Sequence, residues 1–411
     1  MNWIINKLFY KNSIIKFNYR ILSPIILLCL LSLFLLKSTS YDSDLFQSTF
    51  GRQVVWLALG SILFFIVQFF RVQFFNEYAY HLYFLLILGI ITTYFMPIKG
   101  GSQRWIFLGP LSFQPSEIGK VILVFVLAKF LSDRHENIYQ PKVLFITILF
   151  AFLPAAMVFK QPDLGTALVY LAITYPMLYW SGIRPYYLFI FVAPFISILA
   201  AFNITVFYVW MIIVVLLLFY SQPKFFNGVF LFVTNIFCGL LTPYIWGNVL
   251  YNHQRNRILT FLDPLRDPQG TGYQIIQSMT AIGSGGFWGT GLGQGTQTHL
   301  RYLPVRDTDF IISVCGEELG LFGILIIIFS FLISIFWILV YADKTRNNFS
   351  SLTMIGFASI LFVHLFINMG MTVGLFPVTG LPAPFISYGG SFLMSCILIL
   401  AIINNISNNE I

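Results

Sequence analysis

Apolar runs long enough to cross about 30 Å of hydrocarbon recur along the whole chain, at roughly 21–36, 54–70, 78–96, 115–131, 143–159, 164–180, 186–202, 205–220, 228–250, 310–340, 352–376 and 387–403. A short polar or charged stretch closes each one, and the pattern predicts about twelve membrane-spanning helices. The weakest division lies between 186 and 220, where Asn203 is the one clear break, so the alternative count is ten or eleven. No small-residue cleavage pattern follows Leu36, so the first run is expected to be a span and not a removable signal.

Composition supports that pattern. Charged residues make up 9% of the chain and apolar ones 58%, whereas water-soluble domains carry about 25% charged residues, so most helix surfaces here face lipid. The expected fold class is an all-α, polytopic membrane bundle with one large extracytoplasmic loop. Counting basic residues on alternate sides places Lys7, Lys11, Lys16, Arg20, Arg71, Lys129, Arg134, Lys142, Arg184, Lys224, Lys344 and Arg346 together. The short opposite loops hold Lys37, Arg52, Lys99, Arg104 and Lys160. By the positive-inside rule both termini are expected in the cytoplasm and the long connection, 251–308, outside. The net charge of +8 is distributed at span ends, which argues against a nucleic-acid partner. Cys29, Cys238, Cys315 and Cys396 lie in apolar runs without paired spacing and read as packing residues.

An ionised group at the bilayer centre costs about 2.5–3.5 kcal/mol on insertion scales, so the exceptions carry information. "GGSQRWIFLGPLSFQPSEIGK" opens a helix at Pro115, where the missing N–H is harmless, with Glu117 in the favourable first turn. Glu117 and Lys120 are three apart and share a face; an intrahelical ion pair is the plain alternative to a site. "KQPDLGTALVY" starts another span with Asp163 in its first turn, either complementing the dipole or pairing with Lys120. "DTDFIISVCGEELG" sets Asp309 at a helix mouth, with Asp307 or Thr308 available to cap it. Glu317, eight residues on, lies about 12 Å deeper at 1.5 Å per residue. Two carboxylates sharing one sugar sit about 5–9.5 Å apart, so Asp309 and Glu317 are not a glycosidase pair; the deep acids are expected to brace or line the polar interior.

The connection 251–308 is longer than compact proteins usually leave without a role. Its Arg255, Arg257, Arg266, Arg301 and Arg306 suit acidic headgroups or diphosphates, although surface solvation explains any single one. Its glycines match neither a phosphate loop nor a dinucleotide fingerprint. Tyr273, Ile276, Met279 and Ile282 recur at helical spacing and predict a short amphipathic helix at the membrane surface, packing against the bundle being the commoner use of such a stripe. The histidines are scattered, with no metal-site spacing.

Together "GGSQRWIFLGPLSFQPSEIGK", "QPDLGTA", "DPQGTGYQIIQSMTAIGSGGFWGTGLGQGTQ", "LPVRDTDFIISVCGEELG" and "GLFPVTGLPAPFISYGGS" resemble, in order and spacing, the SEDS family of shape, elongation, division and sporulation proteins, its elongation branch more than its division branch. The resemblance implies a peptidoglycan glycosyltransferase that polymerises lipid II at the outer face of the membrane during elongation and shape maintenance. The substrates it implies are lipid II and undecaprenyl-diphosphate-linked glycan. The implied partners are a class B penicillin-binding protein that crosslinks the product and other membrane proteins of the elongation complex.

Carried across residue by residue, the family's essential acid falls on Asp309, with Arg104, Trp105, Glu117, Lys120 and Asp163 in support and Glu317 nearby. Cationic help for the departing diphosphate falls to the loop arginines, Arg104, Lys120 or a divalent cation (Mg or Mn); no other cofactor is implied. Two departures stand out. Relatives have one helix where 186–250 holds three, which implies an inserted pair within a single transmembrane domain. Asp307 stands where relatives often carry His. A lipid II transporter and a noncatalytic scaffold for the crosslinking enzyme are the rival readings.

Overall fold

The computed structural model describes residues 16–40, 48–97, 103–108, 111–222, 225–249, 255, 259–260, 263–267, 272–300 and 302–410. Arg257 and Arg301 of the long connection lie outside these residues, as do Lys7, Lys11, Lys99 and Lys224.

Among the described residues, twelve helices of sixteen residues or more account for the predicted spans: Tyr19–Thr39, Thr49–Phe69, Val72–Thr93, Pro115–Ser132, Pro141–Lys160, Leu164–Trp180, Pro185–Ala200, Ile204–Ser221, Phe225–Tyr244, Gly320–Lys344, Asn348–Thr372 and Gly390–Asn409. Among the described residues nine helices are long and apolar enough to cross a membrane, and Leu164–Trp180 and Pro185–Ala200 are shorter apolar ones. Pro115–Ser132 carries Glu117, Lys120 and Lys129 and stays inside the bundle.

Their ends follow local chemistry. Proline opens Pro115–Ser132, Pro141–Lys160 and Pro185–Ala200. Ser48 and Asn203 cap their helices by accepting backbone N–H groups, at 2.9 Å from Gly51 and 3.0 Å from Thr205. Such caps matter because hydrocarbon offers no water to an orphaned N–H.

The core is built around Asn348–Thr372 and Gly390–Asn409, whose apolar windows are 78% and 83% buried, against 11% for Ile204–Ser221 at the periphery. Apolar surface drives little association in lipid, so close packing and internal hydrogen bonds hold these helices together. Gly356 shows the first: a Cβ there would lie 2.8 Å from Val124 Cγ2 and 3.0 Å from Met177 Sδ. The second appears where Gln68 Nε2 donates to the Ala401 carbonyl at 3.0 Å and its Oε1 accepts from Asn404 Nδ2 at 2.8 Å. Asn404 also accepts from the Asn18 backbone N–H at 2.9 Å, so the start of Tyr19–Thr39 meets the last turns of Gly390–Asn409 at one end of the bundle.

The three helices of 185–244 pack on one another through a small polar knot. Ser197 Oγ donates to Asn235 Oδ1 at 2.6 Å and accepts from Trp210 Nε1 at 2.8 Å.

Two expectations need correction. The run read as one span over 310–340 is broken: Ile311–Glu318 is a separate short helix, and Gly320, at φ +66°, starts the long one. The backbone of Phe287 and Gly289 packs against Gly320 so closely that no Cβ would fit, which is why the chain turns there. The loop helix does form, as Tyr273–Gly285, but it buries Ile275, Ser278, Ala281 and Gly285 while Met279 is exposed. Small side chains let it press on the backbone of Gly316, and Ser278 Oγ lies 2.6 Å from both Ser313 Oγ and the Thr372 carbonyl. The apolar stripe read from the sequence is displaced from this contact face because close approach, not hydrophobicity, selects it.

Candidate active site

A cavity of about 740 Å³ opens at the end of the bundle opposite Asn18 and Asn404. Five of the residues singled out from sequence line it together: Arg104, Trp105, Glu117, Asp163 and Asp309. They come from the start of one helix, the cap of another, the hairpin loop before Pro115 and the turn before Ile311.

Pro115–Ser132 starts with Gln114 in extended backbone, following the two-stranded hairpin Ile106–Leu108 and Leu111–Phe113. This places Glu117 one turn in, on the cavity wall. Lys120 does not reach the wall: it is 1% exposed, and its Nζ donates to Glu117 Oε2 at 2.7 Å and to His364 Nε2 at 2.9 Å. The spacing-based ion pair is therefore real, and it is buried between helices.

Asp163 is the N-cap of Leu164–Trp180 and accepts from the Thr166 backbone N–H at 3.1 Å. Its partner is Arg104 at 3.3 Å, not Lys120. Arg104 also donates to the carbonyls of Gln161, at 3.0 Å, and Pro162, so it ties the hairpin to the helix mouth. Gln114 Nε2 adds a 3.3 Å bond to Asp163.

Asp309 sits in a turn closed by Val305, whose carbonyl accepts from the N–H groups of Thr308 and Asp309. The helix starts at Ile311 and has no side-chain cap, so neither Asp307 nor Thr308 fills the capping role expected of them. The turn is held from the other side. Three successive carbonyls are engaged: Asp307 accepts from the Tyr388 N–H at 2.9 Å, Thr308 from Ser387 Oγ at 2.5 Å and Asp309 from Asn368 Nδ2 at 2.9 Å. Asp309 is half-buried, and burial raises its carboxyl pKa above the ordinary aspartate value, a hydrogen bond with Thr308 opposing the shift. Among the cavity carboxylates it differs from Glu117 and Asp163, which are paired with an ammonium and a guanidinium.

The sequence reading missed part of the wall. Arg52, Val55, Trp56 and Leu59 of Thr49–Phe69 line it, as do Gly380, Pro382 and Ser391. Arg52, Val55 and Leu59 are exposed, so the cavity runs onto a lipid-facing helix surface. A clue was available in the placement of Arg52 and Trp56 one turn apart at the start of an apolar helix, but nothing in their spacing names the neighbours they meet.

Glu317 lies elsewhere. Fully buried, it accepts from the backbone N–H groups of Gln297 at 2.7 Å and Thr298 at 2.9 Å. Glu318 accepts from Ser38 Oγ at 2.5 Å and faces His299 at 3.3 Å. Both acids clamp the glycine-rich loop onto the bundle, in keeping with a bracing role. Among the described residues, the loop arginines Arg255, Arg266 and Arg306 do not line the cavity: Arg255 donates to the Gly247 carbonyl at 2.6 Å, and Arg306 to the carbonyls of Thr39, at 2.9 Å, and Thr298.

Among the described residues no three His, Cys, Asp or Glu side chains gather as a metal site. With Glu117 and Asp163 engaged by cations, the cavity offers a divalent ion Asp309 and no ready companion set.

Gly380 faces the acid directly. Its φ is +72°, and a Cβ there would lie 3.6 Å from Asp309 Oδ2. Gly380→Val is expected to strain the backbone and crowd the carboxylate, lowering turnover about tenfold or more while the protein still folds. Turnover per folded molecule, with thermal unfolding alongside, checks this; wild-type turnover would show that the approach to Asp309 does not matter.

The match to known proteins covers this whole arrangement. The family model described as "Cell cycle protein", FtsW/RodA/SpoVE, matches residues 19–211 and 185–411. These stretches overlap within the segment read as holding an inserted pair. The peptidoglycan glycosyltransferase MrdB of Escherichia coli is 33% identical over 378 residues, 91% of this chain and 90% of that protein. A solved peptidoglycan synthase complex, described as coordinating polymerization and crosslinking, contains a chain 26% identical at a TM-score of 0.73, covering 96% of this chain and 98% of that one. The rod shape determining protein RodA of Thermus thermophilus shares the fold at a TM-score of 0.64 and 22% identity, over 97% of this chain and 99% of that one.

Proposed function

This chain belongs to the FtsW/RodA/SpoVE family, and from that premise we propose that it is a peptidoglycan glycosyltransferase. It polymerises lipid II into β-1,4-linked glycan during cell elongation. The observation that carries the reading is a half-buried carboxylate, Asp309, with no cation paired to it among the described residues, in a cavity that also holds Arg52 and Arg104 and that continues onto a lipid-facing helix.

In the transfer, the 4-hydroxyl of the incoming lipid-linked disaccharide attacks the anomeric carbon of the growing chain. The new C–O bond forms on one face as the bond to the diphosphate oxygen breaks on the other, so the configuration inverts. Asp309 takes the hydroxyl proton; its raised pKa makes it a better base than an ordinary aspartate. Arg52 offers a guanidinium to the departing diphosphate, joined by whatever N–H groups Arg104 has free of its three partners. Glu117 and Asp163, held by Lys120 and Arg104, orient the saccharide. Val55 and Leu59 give the polyprenyl tail a continuous apolar surface to leave along. The cavity faces outward and both termini lie in the cytoplasm, as the basic residues indicate. A class B penicillin-binding protein crosslinks the product alongside.

Purified full-length protein in detergent, given lipid II and no nucleotide, is expected to release undecaprenyl diphosphate and form glycan polymer. Detergent removes sidedness, so lipid movement across vesicles without polymer in detergent would overturn the reading in favour of transport. The pH profile adds a second check. Because burial raises the Asp309 pKa, the rate is expected to rise with pH through a midpoint above the ordinary aspartate value of about 3.9. An acid limb at or below that value would remove Asp309 as the base.

A further inference from the structure

Two polar residues of the core helix Asn348–Thr372 lie outside the cavity wall yet hold several of the groups that shape it. His364 and Asn368 are four apart, hence on one face, and both are fully buried. Asn368 Nδ2 donates to the Asp309 carbonyl at 2.9 Å and to the Leu381 carbonyl at 2.6 Å. Since both neighbours are acceptors, the amide nitrogen must face them, and the orientation of the side chain is set by chemistry. Its Oδ1 is buried with no partner among the described residues, a cost that a residue selected for stability alone would avoid.

His364 is set in the same way. Its Nε2 faces the Lys120 ammonium at 2.9 Å, so it accepts; Nδ1 therefore carries the proton and donates to the Pro382 carbonyl at 3.2 Å. The ring lies against Phe392, a cavity-wall residue, with centroids 4.8 Å apart. One imidazole thus joins the Glu117–Lys120 pair to the segment that carries Gly380 and Pro382 past Asp309.

We propose that His364 and Asn368 are positioning residues for the glycosyl transfer, setting the separation of Asp309 and Glu117 across the cavity through the carbonyls of Asp309, Leu381 and Pro382. Neither reaches substrate. Asn368 fixes where the helix-mouth turn meets the 380–388 segment, and His364 fixes where that segment meets Lys120. This rests on the glycosyltransferase reading for its consequence but not for its geometry.

The experiment uses full-length protein in detergent and two readouts. The first is hydrogen exchange followed by mass spectrometry over 378–388. Asn368→Ala is expected to speed exchange in that segment about tenfold or more, with the unfolding temperature close to wild type; unchanged exchange overturns the proposal whether or not the protein polymerises anything. The second is steady-state kinetics with lipid II. Asn368→Ala is expected to lower kcat about tenfold with KM within about twofold, because the groups that bind are still present but misaligned.

At 364 the variants separate the two contacts. Asn retains a donor near the Nδ1 position, Gln an acceptor near the Nε2 position and Phe neither, so kcat is expected to fall in the order wild type, then Asn and Gln, then Phe. Wild-type kcat in His364→Phe overturns the role of His364. So does a loss of folded protein in every variant with kcat per folded molecule unchanged, which marks a residue that only stabilises. Absence of polymer from wild type would defeat the functional reading, while the exchange measurement would still decide this one.

Discussion

Asp309→Asn is expected to abolish glycan polymer while leaving the protein folded, inserted and at least as stable as wild type. The amide keeps the shape of the carboxyl but takes no proton, so turnover should fall by about 10²- to 10⁴-fold, the range for loss of a general base. The stability half follows from the direction of the pKa shift. Burial raises the folded-state pKa of Asp309, so the folded protein binds that proton more tightly than the unfolded chain does. The stability from protonation is fully present below the unfolded value and is lost as pH rises through the folded one. At neutral pH the ionised carboxylate is therefore a burden that the neutral amide lifts. The turn does not depend on the carboxylate, because its carbonyls are held by Tyr388, Ser387 and Asn368. Polymer yield and thermal unfolding of the purified variant check the two halves together. Loss of polymer with a large fall in stability would make Asp309 a structural residue, and full activity would remove it from the chemistry.

The spans were legible because lipid imposes a simple rule: a helix that faces hydrocarbon must be apolar for its whole length, and this chain obeys it even at the weak division marked by Asn203, which turns out to be a helix cap. The site was partly legible for the complementary reason. Charges that break the rule need partners, so Glu117, Asp163 and Asp309 announced themselves one by one, and Glu117 with Lys120 even as a pair. Which partner each takes depends on the approach of helices far apart in sequence. Asp163 serves the helix start as one reading expected, but its cation is Arg104 and not Lys120; only packing could decide that.

Features governed by close backbone contact were the hardest to read. The break at Gly320 and the buried stripe of Tyr273–Gly285 follow from glycine meeting backbone, which no hydrophobic pattern records. Arg52 and Trp56 were passed over because at a span end a basic residue and an aromatic are what any membrane helix carries. His364 and Asn368 did leave a trace, two polar residues four apart inside an apolar run, and such a pair in a lipid-buried helix merits a search for the carbonyls it must serve.

The Glu117–Lys120 pair carries the other large expected effect, and it separates stability from activity. Lys120→Met leaves Glu117 buried without its cation and His364 without its donor, and removing one partner of a buried pair costs about 3–5 kcal/mol. Adding Glu117→Gln removes the stranded charge, so most of that loss should return; what remains, about 1 kcal/mol, reflects the hydrogen bond that His364 no longer receives. Activity should not return with it. Glu117 is on the cavity wall and Lys120 is behind it, so the double variant restores a neutral core but presents an amide where the saccharide meets a carboxylate. Unfolding temperatures of the single and double variants, with polymer formation per folded molecule, test both statements. If Lys120→Met were as stable as wild type, the pair would not be the buried element described here. If the double variant polymerised at the wild-type rate, Glu117 and Lys120 would serve the fold alone, and the chemistry would rest on Asp309 and the arginines without them.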